Sequence, residues 1–204
     1  MSTAAVAAFA RLGELELYYE TQGTGPPLVL IHGSLMTASL MNDYPAMLAA
    51  GRRVITVELQ GHGHTRDIGR PLRYELLADD IAALEQLSGS IYHQAYRDVA
   101  PDPERWPGLV RKVLDLDAQP QDWPAARVAA IAAPTMLVVA DSDIVRLEHA
   151  VEMFHLLGGG VAGDIHGLPA ARLAVVPGTT HTSLCGSAGR VVPMITEFLD
   201  DAGG

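Results

Sequence analysis

Apolar residues fall into two kinds of run along this chain, and each kind predicts a different element. Within residues 9–19, Leu15, Leu17 and Tyr19 alternate with Glu14, Glu16 and Tyr18. Alternation of period two puts one set on a covered face and the other on a wetter one, which predicts a strand, one arm of a hairpin turned at Gly13. Pro26 and Pro27 then interrupt regular structure. Residues 28–31 (Leu-Val-Leu-Ile) and 54–57 (Val-Ile-Thr-Val) are short continuous apolar runs that lead into glycine-containing stretches. Runs of that kind suit strands covered on both faces of a parallel sheet. Residues 135–140 and 173–176 add two more strand-like runs.

Helical spacing appears between these runs. Leu77, Ile81 and Leu84 share a face over residues 74–84, and Asp79-Asp80 lies on its solvated side. Leu147, Val151 and Phe154 predict an inward face over residues 145–157, stopped by Gly158, Gly159 and Gly160. Residues 191–199 predict a last helix. Residues 85–124 differ in character, with Trp106, Trp123, a cluster of prolines and helical spacing of Leu109, Val113 and Leu116. They read as a small helical cap inserted into one domain spanning the 204 residues. Strand and helix alternate around this insert, which predicts an α/β fold with a mostly parallel sheet.

Composition narrows the function classes. Hydrophobic residues make up 49% and charged residues 19%, as expected of a globular domain with a sizeable core. The net charge of −10 offers no basic stripe, so no nucleic-acid partner is expected. Cys185 is the single cysteine and leaves no internal disulfide or multi-cysteine zinc site; it reads as a small hydrophobe. The alanine-rich start lacks a basic region, and no apolar run approaches the ~18 residues that span a bilayer. A cytoplasmic protein without a membrane partner is the expectation. Gly158, Gly160 and Gly163 match Gly-x-Gly-x-x-Gly but follow a helix rather than a strand, so no dinucleotide cofactor is expected. His62 and His64, with His32 and His181, lack a supporting carboxylate pattern, so no metal is expected either.

The chemistry-bearing residues follow the predicted strands. His32-Gly33-Ser34, Gly61-His62-Gly63-His64, Asp141-Ser142-Asp143 and Gly178-Thr179-Thr180-His181 each come directly or closely after one. In an open α/β sheet the functional loops gather at the carboxyl ends of the strands. In these four motifs, taken in this order, the chain resembles the α/β-hydrolase superfamily. The resemblance runs from Leu15 to Leu199. It implies that His181 is a general base, that Asp143 holds its tautomer and stabilises the imidazolium, and that His32, Gly33 and Ser34 form the oxyanion loop, with the Ser34 N–H as one donor. The ligand it implies is a small ester or lactone-like molecule.

One part of that pattern is missing. No Gly-x-Ser-x-Gly occurs anywhere in the sequence. Ser34 and Ser90 are the candidate replacements. Ser34 belongs to the oxyanion side, and no apolar run precedes Ser88 or Ser90 to form the strand half of an elbow. Family members place a strand, the nucleophile elbow, a helix and a further strand after the helix that matches residues 74–84. Here Leu84 runs directly into Glu85-Gln86-Leu87-Ser88-Gly89-Ser90. A strand-helix-strand unit needs roughly 30 or more residues, so an internal deletion near Leu84 and Glu85 is the simplest reading. The sheet then either closes around the gap or exposes two unpaired edges, and open edges would invite pairing between copies. Two functions follow: a carbonyl-ester hydrolase lineage whose present chain is weak or inactive, or a non-catalytic binding or scaffold protein on the same frame.

Overall fold

A computed structural model describes residues 4–12, 14–68, 72, 91–118 and 123–201. The chain forms two compact units, Met1–Gln121 and Asp122–Gly204. Among the described residues, no helix is long and apolar enough to cross a membrane.

The first unit starts with the expected hairpin. Strand β1 (Val6–Leu12) pairs antiparallel with β2 (Leu15–Gln22), with Leu12 opposite Leu15. Gly13 lies outside the described residues. β2 pairs antiparallel with β4 (Arg53–Val57), which pairs parallel with β3 (Pro27–Ile31), in the order β1-β2-β4-β3. Helix α1 (Tyr44–Leu48) joins β3 to β4 and buries Tyr44 and Leu48. Val54 and Thr56 of β4 are buried, as an inner strand requires.

β3 departs from expectation. Its composition suits a strand covered on both faces, yet Val29 and Ile31 are 55% and 57% exposed. It stands at the end of its sheet and, among the described residues, pairs only with β4. The apolar run shows an alternation of half-buried and exposed positions, with Val29 and Ile31 on the uncovered face.

The described part of residues 85–124 is helical: α2 (Ile91–Val99) and α3 (Trp106–Asp117). Pro107 sits in the first turn of α3, where its missing N–H has no helical partner to lose. Trp106, Leu109, Val110 and Val113 make one stripe at helical spacing, and it buries against Tyr96 of α2. The expected helix over residues 74–84, Asp79, Asp80, the junction at 84–85, Ser88 and Ser90 all lie outside the described residues.

The second unit begins with α4 (Ala125–Ala129) and carries a parallel pair, β5 (Thr135–Ser142) and β6 (Ala171–Thr180). α5 (Leu147–Leu156) and α6 (Gly163–His166) lie on the crossover; α7 (His181–Leu184) and α8 (Ala188–Asp201) complete the unit. The expected inward face of α5 needs correction. Ala150 is its buried residue, whereas Leu147 and Val151 are exposed. The covered face centres on Ala150, and the Phe154 ring seats against Gly159. Gly158 ends the helix at φ +89°, a conformation that glycine adopts without strain.

The α/β expectation holds. Among the described residues the strand pairing is mixed: β1/β2 and β2/β4 are antiparallel, while β3/β4 and β5/β6 are parallel. The described residues form two sheets with no ladder between them. Within each parallel pair the carboxyl ends stay level, Ile31 beside Val57 and Ser142 beside Thr180, so the motifs that follow emerge together.

Candidate active-site elements

In the second unit, the acid and the imidazole meet. β5 and β6 keep register from Thr135 opposite Ala171 to Ala140 opposite Val176, then shift so that Ser142 opposes Thr180. An irregularity of this kind re-aims the side chains at a strand end. Asp143 Oδ2 accepts the Ala140 N–H at 3.0 Å, and Oδ1 accepts the Val145 N–H at 3.1 Å. His181 Nδ1 lies 2.8 Å from Asp143 Oδ1. A carboxylate only accepts, so Nδ1 carries the hydrogen and Nε2 is the basic ring nitrogen. The Asp143 side chain is 3% exposed and that of His181 53%. Burial pushes the Asp143 carboxyl up, but the N–H groups of Val145 and Ala140 and the His181 imidazole outweigh it and hold the group below the ordinary carboxylate range.

His181 is held by what precedes it. Thr180 caps α7: its Oγ1 accepts the Ser183 N–H, and Ser183 Oγ accepts the Thr180 N–H at 2.8 Å, a reciprocal capping box. Thr179 is buried and its hydroxyl donates to Val176 O at 2.6 Å. Asp141 accepts the N–H of Gly178 at 2.8 Å and of Thr179 at 3.2 Å, and these bonds hold its carboxyl below the ordinary range. Arg190, from α8, donates to Pro177 O at 2.7 Å.

In the first unit, His32, Gly33 and Ser34 begin a tight turn in which Met36 N–H reaches Gly33 O at 3.2 Å. Ser34 is exposed, and Leu35 follows at φ +61°, a left-handed conformation costly for a leucine. Two buried imidazoles hold this turn. His32 Nδ1 donates to Gly33 O at 2.8 Å while its Nε2 accepts the Leu59 N–H at 3.1 Å. His62 Nδ1 donates to Gln60 O at 3.0 Å while its Nε2 accepts the Leu35 N–H at 3.2 Å. Both rings are therefore neutral Nδ1–H tautomers. Burial lowers the pKa of each, that of His62 to about 4. The Leu35 side chain also packs against the α2–α3 cluster, which helps to sustain its backbone strain.

Glu58 organises the loop after β4. It is 1% exposed; Oε1 accepts the Ala38 N–H at 2.9 Å, and Oε2 accepts the His64 N–H at 2.7 Å and His64 Nδ1 at 3.0 Å. Thr65 Oγ1 donates to Glu58 O at 2.7 Å and accepts the Tyr18 N–H at 2.9 Å, tying the loop to β2. The motifs alone assigned no role to Glu58, Asp141, Ser183 or Arg190. A carboxylate directly after the apolar run 54–57, and the Thr-x-x-Ser spacing at Thr180 and Ser183, were the available signals. Among the described residues, no group of three or more His, Cys, Asp and Glu side chains stands ready to hold a metal ion.

No family model matches the chain. Pimeloyl-[acyl-carrier protein] methyl ester esterase of Stenotrophomonas maltophilia (strain R551-3) is 31% identical over 168 residues, which are 81% of this chain and 58% of that protein. Among solved structures, a serine hydrolase involved in carbazole degradation superposes with a TM-score of 0.72 at 15% identity, over 97% of this chain and 99% of that one. The chain belongs to the α/β-hydrolase superfamily. A thioesterase domain from the curacin biosynthetic pathway shares the fold, with a TM-score of 0.63 at 16% identity over 96% of this chain and 100% of that one. The match spans less than three fifths of the Stenotrophomonas esterase's length. Asp143 directly follows β5, and His181 opens α7 directly after β6.

Proposed function

We propose that this chain retains the acid–base half of an ester-hydrolysing site, in Asp143 and His181, and lacks the nucleophile that the pair would serve. The observation that carries the reading is the 2.8 Å contact between His181 Nδ1 and a buried Asp143 carboxylate that also accepts two backbone N–H groups. In a complete site, Nε2 of such a histidine takes a proton from a serine hydroxyl as the oxygen attacks a carbonyl, and the carboxylate stabilises the resulting imidazolium. By resemblance alone, the His32-Gly33-Ser34 loop of the first unit is the family's oxyanion loop, with the Ser34 N–H as its donor. Without a serine elbow there is no hydroxyl to deprotonate and no second N–H donor beside it. Loss of the nucleophile removes on the order of 10⁶ in kcat. The ligand class we infer is a small carboxylic ester or lactone, in keeping with the methyl ester named for the relative.

We attribute the gap to an internal deletion near Leu84 and Glu85, with residues 85–124 as the remaining helical cap. What supports this is the sequence: the family's motifs stand in order on both sides of residues 84–85, and no Gly-x-Ser-x-Gly lies between them. The test is hydrolysis of an activated aryl ester by the wild-type chain beside Asp143→Ala and His181→Ala. All three should stay near the buffer rate. A wild-type rate far above buffer, abolished in both variants, would overturn the loss of function.

A second reading rests on the exposed face of β3, where Val29 and Ile31 are uncovered. It makes the chain a binding or scaffold protein, associating through open strand edges and holding an ester without cleaving it. Ligand binding by calorimetry with no product formed supports it, and the absence of both binding and association opposes it.

A further inference from the structure

Beside the Asp143–His181 pair stands a second carboxylate, Asp141, which bonds the backbone before His181 and not its imidazole. Strand β6 is irregular over Pro177, Gly178 and Thr179, pairs again at Thr180 opposite Ser142, and delivers His181 at the start of α7. Backbone N–H groups at such an irregular strand end have lost their ladder partners, and a group without a partner is costly. Asp141 meets this need from β5. Its two oxygens take one N–H each, from Gly178 at 2.8 Å and from Thr179 at 3.2 Å. Gly178 sits at φ +66°, so the backbone here is held in a conformation that most residues avoid.

We propose that Asp141 is a positioning residue for His181, a clamp across the end of the β5–β6 pair that fixes the direction from which the imidazole meets Asp143. The proposal rests on the acid–base reading above and deepens it. Asp141 and Asp143 lie two residues apart on one strand end, and both oxygens of each accept hydrogen bonds. One carboxylate grips the backbone two and three residues before His181, and the other grips the His181 ring. The Thr180–Ser183 capping box fixes the short span between the two grips. A small rotation at Gly178 would swing the ring away from Asp143, whose carboxylate holds its Nδ1.

The test reads the imidazole itself and needs no turnover. In ¹⁵N-labelled protein at pH ~8, where an unperturbed histidine is neutral, the ring ¹⁵N shifts report the tautomer. The His181→Gln variant assigns the signal among the eight histidines. The wild type should show His181 as the Nδ1–H form with an Nδ1 proton slow to exchange. Asp141→Ala should lose that protected resonance and relax towards the tautomer mixture of an unrestrained imidazole, while the thermal melt stays cooperative. Asp141→Asn, which keeps one acceptor and sets an NH₂ against the other N–H, should show partial loss.

Retention of the wild-type signature in Asp141→Ala would overturn the positioning role while leaving the acid–base reading intact. Loss of the cooperative melt in both Asp141 variants would also overturn it, making Asp141 a structural residue. Asp143→Ala, which leaves the ring no side-chain acceptor at this position, separates the two claims. If that variant keeps the protected Nδ1–H, the pair itself is not formed and both readings fall together.

Discussion

Gly63 and Gly178 both hold positive φ, 53° and 66°, yet alanine should cost very different amounts at the two positions. At Gly178 an added methyl meets nothing within 4 Å, so only the backbone penalty remains, about 1 kcal/mol. At Gly63 it would run into the Glu58 carboxyl group. Displacing Glu58 strips acceptors from the N–H groups of Ala38 and His64, and the total should reach roughly 3 kcal/mol or more. Urea midpoints of the two variants check this, and equal shifts would contradict the hub role of Glu58. His62 gives a pH dependence of determinable sign. Burial lowers its folded pKa to about 4, below the unfolded value of about 6.5, so its contribution to stability is full above pH ~6.5. As pH falls from ~6.5 to ~4 the unfolded chain takes up the proton first, and about 3 kcal/mol should be lost. The difference between the wild type and His62→Gln across that range isolates the effect; a constant difference would contradict it. Asp143 and His181 were legible in the sequence because each follows an apolar run. Glu58 and Asp141 were not, because what defines them is the backbone N–H they accept from residues 6 to 38 positions away.

At the scale of elements, α3 and β3 make opposite predictions. Leu109 lies in a closed cluster with Trp106, Val110, Val113 and Tyr96, so Leu109→Ala should cost about 2–4 kcal/mol through lost burial and a residual cavity. Val29 is as apolar as Val110 but 55% exposed, so Val29→Thr should change stability by less than about 0.5 kcal/mol. Thermal or urea unfolding of the two variants decides it. A large loss at Val29 would mean that the face of β3 is covered in solution. Strand positions were readable from runs of apolar residues, which mark where the chain extends. Cover was not, because residues 28–31 read the same whether a neighbouring strand is present or absent. The turn of α5 was missed for a related reason. Its sequence offers Leu147, Val151 and Phe154 as one stripe, while the buried face centres on Ala150, a residue with too little side chain to signal burial.

For the whole molecule, the decisive feature is a hydrolase frame whose described strands form two sheets, with an apolar strand at the open end of one. Open strand edges invite pairing with other chains, and a domain's net stability is only ~5–15 kcal/mol. The isolated chain should therefore self-associate while keeping its tertiary packing, as seen by light scattering together with near-UV circular dichroism. A monodisperse monomer melting sharply above ~65 °C would contradict this. The central claim, an acid–base pair without a nucleophile, has a more direct test. The folded chain is treated with a fluorophosphonate, which bonds covalently to an activated serine, and its intact mass is measured. The account predicts an unchanged mass. A stoichiometric single adduct, abolished in Ser34→Ala or Ser90→Ala and in His181→Ala, would show that another serine has taken the missing place and would contradict the account.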